Sequence, residues 1–148
     1  MMELPKHDPP THRVVIKSDG TVERIDLTPD EITETLAEWR RNDIEQFAKQ
    51  KFDEAVAAGY PSVDGWCLPI DDSSRASLVE LRTQITEGLE MKIWTADSPC
   101  PVQILDTTGS PHSLTVGEVR MLIFMAGNHY AKILEQCRTD VESALSAS

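Results

Sequence analysis

Between Val63 and Leu78 the chain reads VDGWCLPIDDSSRASL, which places three carboxylates, three serines, a cysteine and a tryptophan beside a proline. Such groups do acid–base chemistry when they converge in a cleft that water can reach. Asp71 and Asp72 are candidates for a carboxylate pair, and with Trp66 and His129 they define the alternative reading of this chain, a small-molecule-binding module or enzyme. The same residues have a simpler local role. An Asp-Asp-Ser-Ser run ahead of RASLVEL offers side-chain oxygens to the free N–H groups of a helix start and sets negative charge at its positive end. That structural role is the stronger reading of Asp71 and Asp72.

Other chemistry finds less support. The histidines His7, His12, His112 and His129 form no HxxxH or HxH pair and have no cysteine partner at close spacing, so neither a metal site nor a cofactor is expected. His129 and Cys137 stand two helical turns apart, about 12 Å along an axis, too far to share an ion unaided. The chain has no GxSxG elbow, no cysteine flanked by histidine and no glycine-rich phosphate loop. No catalytic residues are assigned and the chain reads as non-enzymatic. Trp39, Trp66 and Trp94 fall on different elements, where large core or interface residues are the expected role.

Charge narrows the partners. Fourteen basic and twenty-five acidic residues give a formal net charge of −11 over 148 residues, which disfavours nucleic acid and anionic membrane surfaces. No apolar run approaches the roughly 18 residues of a spanning helix. Cys67, Cys100 and Cys137 form an odd set without a CxxC pair and follow no signal peptide, a pattern that suits a reducing cytoplasm.

The elements that must hold these residues follow from periodicity and caps. Residues 1–12, with three prolines, read as a flexible arm. In residues 13–27, Asp19-Gly20 between two β-rich runs predicts a hairpin at about 13–26. Residues 28–145 then form the main domain, a single domain together with the hairpin. Thr28, Pro29 and Glu31 open a helix of about 30 residues, ~45 Å long, that carries Ile32, Leu36, Trp39, Phe47, Phe52, Ala55 and Val56 and stops at Gly59 before Pro61.

A short strand is expected at Trp66–Leu68, then a helix over about 72–88 that buries Leu78, Leu81, Ile85 and Leu89. MKIWTA and PVQILD read as two β-segments joined by DSPC, with TTGSPH a further turn. Thr115 and Glu118 open the last helix, which runs to about residue 144. Met121, Phe124 and Met125 lie off its apolar stripe, so VRMLIFMA is apolar almost all round and is a candidate interaction surface together with Trp39, Trp66 and Trp94. The fold class is α+β and mainly helical, with two long amphipathic helices, a shorter one and small β-hairpins.

GWCLPIDDSSRASL, KIWTAD and SLTVGEVRMLIFMAGNHYAKI together resemble a domain family of unassigned function in tailed bacteriophages and prophages, the DUF4376 type. The resemblance spans about residues 40–140 and runs through Gly65, Leu68, Asp71, Ser74, Leu78, Trp94, Asp97, Leu114, Thr115, Glu118 and His129. Pro69 and the insert SPCPVQ depart from the pattern and bear on the geometry of the second hairpin. The resemblance implies a tail-associated role, in tail-fibre assembly or as a small virion component, in the bacterial host cytoplasm during assembly or in the virion tail. It implies a phage tail or tail-fibre protein as partner and carries over no catalytic residue. Self-association through the long helices is the further expectation.

Overall fold

The computed structural model describes residues 3–147, so the first two residues of the expected arm and the last residue of the chain lie outside the described residues. Among them are three helices, two of about 30 residues, and three small antiparallel β-hairpins, an α+β and mainly helical fold. The chain divides into two compact units, one made of residues 1–49 and 139–148 and the other of residues 50–138.

In the first unit, residues 3–11 take no regular secondary structure. His7 is nevertheless tied to Asp43, its Nε2 2.6 Å from Oδ2, and its ring meets Trp39 at 5.3 Å between centroids. β1 (His12–Ile16) pairs antiparallel with β2 (Val22–Asp26), with Val14 opposite Arg24. The turn works as Asp19-Gly20 predicts: Gly20 has φ 84°, and the Asp19 carboxylate accepts from both the backbone N–H and the hydroxyl of Thr21.

α1 (Pro29–Ala58) opens on a reciprocal capping box. The Glu31 N–H donates to Thr28 Oγ1 at 3.2 Å, and the Thr28 N–H donates to Glu31 Oε1 at 3.3 Å. Ile44 and Ala48 are its buried residues, both in the first unit.

The second unit holds the main core. Leu68, Ile70, Leu81, Ile85, Ile104, Val116, Val119, Ile123 and Ala126 form one buried cluster. Each fully buried aliphatic side chain there contributes about 1.5–3 kcal/mol. The helix α1 ends where Gly59, at φ 77°, takes the left-handed conformation that β-carbon-bearing residues resist. A β-carbon at this position would also lie 2.6 Å from the Leu68 carbonyl oxygen, so glycine is required twice over.

β3 (Tyr60–Pro61) then pairs with β4 (Cys67–Leu68). The strand expected at Trp66–Leu68 is therefore present from Cys67, and its partner is the two-residue segment directly after α1. α2 (Asp72–Glu90) follows. Asp71 stands at the N-cap with extended backbone, but its carboxylate makes no capping bond to the helix; instead it accepts from the Ser73 hydroxyl at 2.9 Å. The Ser74 and Ser73 hydroxyls hold that carboxyl below its usual range. Asp72 is the first helical residue and pairs with Arg75. Asp71 thus stands at the helix start its spacing predicts, while serine hydroxyls and a guanidinium, each only a few residues away, engage the two carboxylates.

The expected pairing of MKIWTA with PVQILD does not form. After α2 the N–H groups of Lys92 and Ile93 return to the carbonyls of Leu89 and Gly88, a Schellman stop with Lys92 at φ 59° in the position usually given to glycine. That turn folds residues 91–95 back on the helix and sets the Trp94 indole against Gly88. The PVQILD segment instead supplies β5 (Ile104–Leu105), which pairs across the Thr107–Ser110 turn with β6 (Pro111–His112). Residues 96–100 run antiparallel to 114–117 through the bonds Cys100 N–H to Leu114 O and Val116 N–H to Ser98 O. They deliver the chain to α3 (Val116–Ser146), which opens on the Thr115–Glu118 capping box. No helix among the described residues is long and apolar enough to cross a membrane.

Candidate functional site

Three consecutive features build one wall of a groove in the second unit. The β3–β4 turn closes with Ser62 N–H donating to Trp66 O at 2.8 Å, and Gly65 takes φ 90°. This tight turn presents Val63 and Asp64 outward and leaves Trp66 half-buried. The indole then lies flat on the His112 imidazole, 4.2 Å between centroids and 14° between planes.

His112 is itself fixed. Its Nε2 is 2.8 Å from Asp106 Oδ2, and because an ionised carboxylate only accepts, the ring carries its proton there. The other carboxylate oxygen of Asp106 accepts from the Thr108 N–H, the Thr108 hydroxyl and the Ser110 N–H. Hydrogen bonds from His112, then Thr108, hold the buried Asp106 carboxyl well below the usual range against the opposing effect of burial. An aspartate–histidine pair is also an acid–base motif; among the described residues no serine, threonine or cysteine is hydrogen-bonded to this ring, and both carboxylate oxygens are engaged by the hairpin. The pair braces the hairpin and seats Trp66.

The opposite wall is the start of α3. Gly117, Glu118, Met121, Leu122 and Met125 share one side of that helix, and with Leu114, Tyr60 and the β3–β4 turn they enclose a groove of about 500 Å³. Asp64 and Glu118 are the charged residues of its lining. A second groove, about 640 Å³, lies between α2 and the β5–β6 hairpin, lined by Leu78, Leu81, Val102, Leu105 and the serines Ser73, Ser74 and Ser77.

The residues expected to carry function are distributed unevenly over this frame. Met121, Met125 and Trp66 meet in the first groove, while Phe124 is exposed outside its lining. Trp94 packs against the core and Trp39 against His7 in the other unit. Asp71, Asp72 and His129 line neither groove, and His129 stands edge-on to Tyr60 at 5.4 Å. Neither of these two grooves brings Trp66 together with Asp71, Asp72 and His129. Arg75 ties the start of α2 to α3 by stacking over Tyr130 at 3.7 Å while its Nε donates to Ile70 O.

Sequence reasoning did not single out Asp106 and His112. The signal available is the TTGSPH run, which reads as a turn, and the aspartate that directly precedes it serves as the turn's acceptor. Among the described residues no group of three histidine, cysteine, aspartate or glutamate side chains is placed to hold a metal ion. Comparison with models of known protein families, with curated proteins and with solved structures finds no match to this chain.

Proposed function

We propose that this chain is a non-enzymatic protein-binding component of a bacteriophage or prophage tail, acting in tail-fibre assembly or as a small virion part. The tail assignment comes from the resemblance through Gly65, Asp71, Trp94, Leu114, Thr115 and Glu118. The binding assignment rests on one observation: Met121, Phe124 and Met125 are 60, 63 and 41 % exposed on a helix whose other side buries Val119, Ile123 and Ala126. Large apolar side chains gathered beside a groove mark a contact surface more often than isolated ones do. In this reading the chain also self-associates through its long helices, and it works in the host cytoplasm during assembly or in the tail itself.

Light scattering on the purified chain, alone and with a phage tail-fibre protein, tests the proposal. A mass above that of the monomer, rising further with the fibre protein, is expected. A strict monomer at micromolar concentration, unchanged by that protein, would overturn it.

A further inference from the structure

The groove between the β3–β4 turn and α3 also specifies the chemistry of its occupant, an inference that rests on the protein-binding reading above. Its volume of about 500 Å³ falls in the range of roughly 300–1,000 Å³ typical of binding pockets, enough for a few large side chains. The apolar lining includes Tyr60, Trp66, Leu114, Met121, Leu122 and Met125. Paired methionines adapt to apolar side chains of varied shape because the thioether is flexible and polarisable.

The polar part has one sign. Asp64 and Glu118 line the groove, no lysine or arginine does, and neither acid has an ion-pair partner among the described residues. Glu118 accepts the Thr115 N–H through Oε1, which leaves its second oxygen for a partner. A second copy of a chain with net charge −11 would bring like charge to this rim. We infer that the groove receives an apolar segment flanked by lysine or arginine from a partner protein, its apolar side chains between Trp66 and Met121–Met125 and its cations toward Asp64 and Glu118.

The test uses the full chain and two labelled synthetic peptides, an amphipathic leucine–lysine peptide and its counterpart with every lysine replaced by glutamate, followed by fluorescence anisotropy. The lysine peptide is expected to bind and the glutamate peptide to bind far more weakly. The double substitution Asp64→Asn with Glu118→Gln keeps an acceptor for the α3 cap and should weaken lysine-peptide binding about three- to tenfold, the size of one or two solvent-reachable ion pairs. Glu87→Gln with Glu90→Gln removes the same charge from the exposed end of α2 and should change little. Met121→Ser with Met125→Ser should abolish binding while the melting temperature reports that the chain stays folded.

If the glutamate peptide binds as tightly and competes for the same groove, the partner is not basic: this inference falls and the protein-binding reading stands. It falls equally if the two charge-removing variants lose the same affinity, because the attraction is then diffuse. Should neither peptide bind while Met121→Ser with Met125→Ser dissociates an oligomer, the occupant is a second copy. If neither peptide binds and the chain is a monomer indifferent to the fibre protein, both readings fail together.

Discussion

The indole of Trp66 rests on the imidazole of His112, and His112 is held in turn by Asp106. The orientation of one groove wall thus depends on a carboxylate at the head of the next hairpin's turn, through a stack and one hydrogen bond. Asp106 lines no part of this groove, yet it positions one of its walls.

That chain of contacts sets a pH dependence. Asp106 is held below its ordinary value of 3.8, chiefly by the hydrogen bond from His112. A carboxyl with a lowered folded value stabilises the fold above the unfolded value, and the contribution is lost as pH falls through the folded one. Asp106→Asn should therefore be less stable than the parent near neutral pH, with the gap closing as the pH drops below 3.8. Urea unfolding of both proteins at successively lower pH reads the difference, and the near-ultraviolet circular dichroism of Trp66 should weaken in the variant. A gap that stays constant down to acid pH would show that the carboxylate charge contributes nothing.

Gly88 and Trp94 make a second testable pair. On helix propensity alone, Gly88→Ala inside α2 should stabilise by up to about 1 kcal/mol. A β-carbon at 88 would overlap the Trp94 indole, however, and overpacking of this kind costs about 1–3 kcal/mol. The expected result is net destabilisation in a urea melt. Combining Gly88→Ala with Trp94→Val should cost less than the sum of the two single changes, because the smaller side chain leaves room for the methyl group. Strict additivity would show that the two residues do not meet.

The pair also shows where the sequence is legible and where it is not. Asp19-Gly20, the two threonine–glutamate capping boxes and Gly59 are local signals, and the elements they announce lie at Val22–Asp26, Pro29–Ala58 and Val116–Ser146. Tyr60–Pro61 carries no such signal, since a two-residue strand has no periodicity and proline argues against one. Ile93, Trp94 and Thr95 have strand-forming side chains, but their preference is overridden when Lys92 turns the chain and Trp94 finds its place on Gly88. Met121, Met125 and Trp66 were visible as surface candidates from composition and helical spacing. Their meeting in one groove depends on Asp106 and His112 being bound across a hairpin, a tertiary contact that spacing alone does not encode.

Arg75 provides a test of how α2 is anchored. Its guanidinium covers the Tyr130 ring and its Nε donates to Ile70 O, two contacts that need a flat, branched cation. Arg75→Lys should lower stability by about 1 kcal/mol, the size of one partly desolvated cation–π contact or hydrogen bond. Tyr130→Phe keeps the ring face and should be nearly neutral, whereas Tyr130→Leu should reproduce the lysine effect. An Arg75→Lys protein as stable as the parent would mean the charge alone matters.

The two kinds of helix start differ in how much each should stabilise. The Thr115 hydroxyl accepts the Glu118 N–H at 3.2 Å and the Thr115 N–H donates to the Glu118 carboxylate, so two backbone donors are satisfied at the head of α3. Thr115→Ala should cost about 0.5–2 kcal/mol, the usual value of a lost cap. The Asp71 side chain makes no such capping pair at the head of α2, and Asp72 holds Arg75 from an exposed position. Their negative charge still favours the positive helix end, a contribution of about 0.3–1 kcal/mol at low salt. Asp71→Ala with Asp72→Ala should therefore cost less than Thr115→Ala, and the cost should shrink as salt rises while that of Thr115→Ala does not. Equal losses that ignore salt would indicate that Asp71 caps the backbone in solution after all, and would restore to VDGWCLPIDDSSRASL the helix-capping role its spacing suggests.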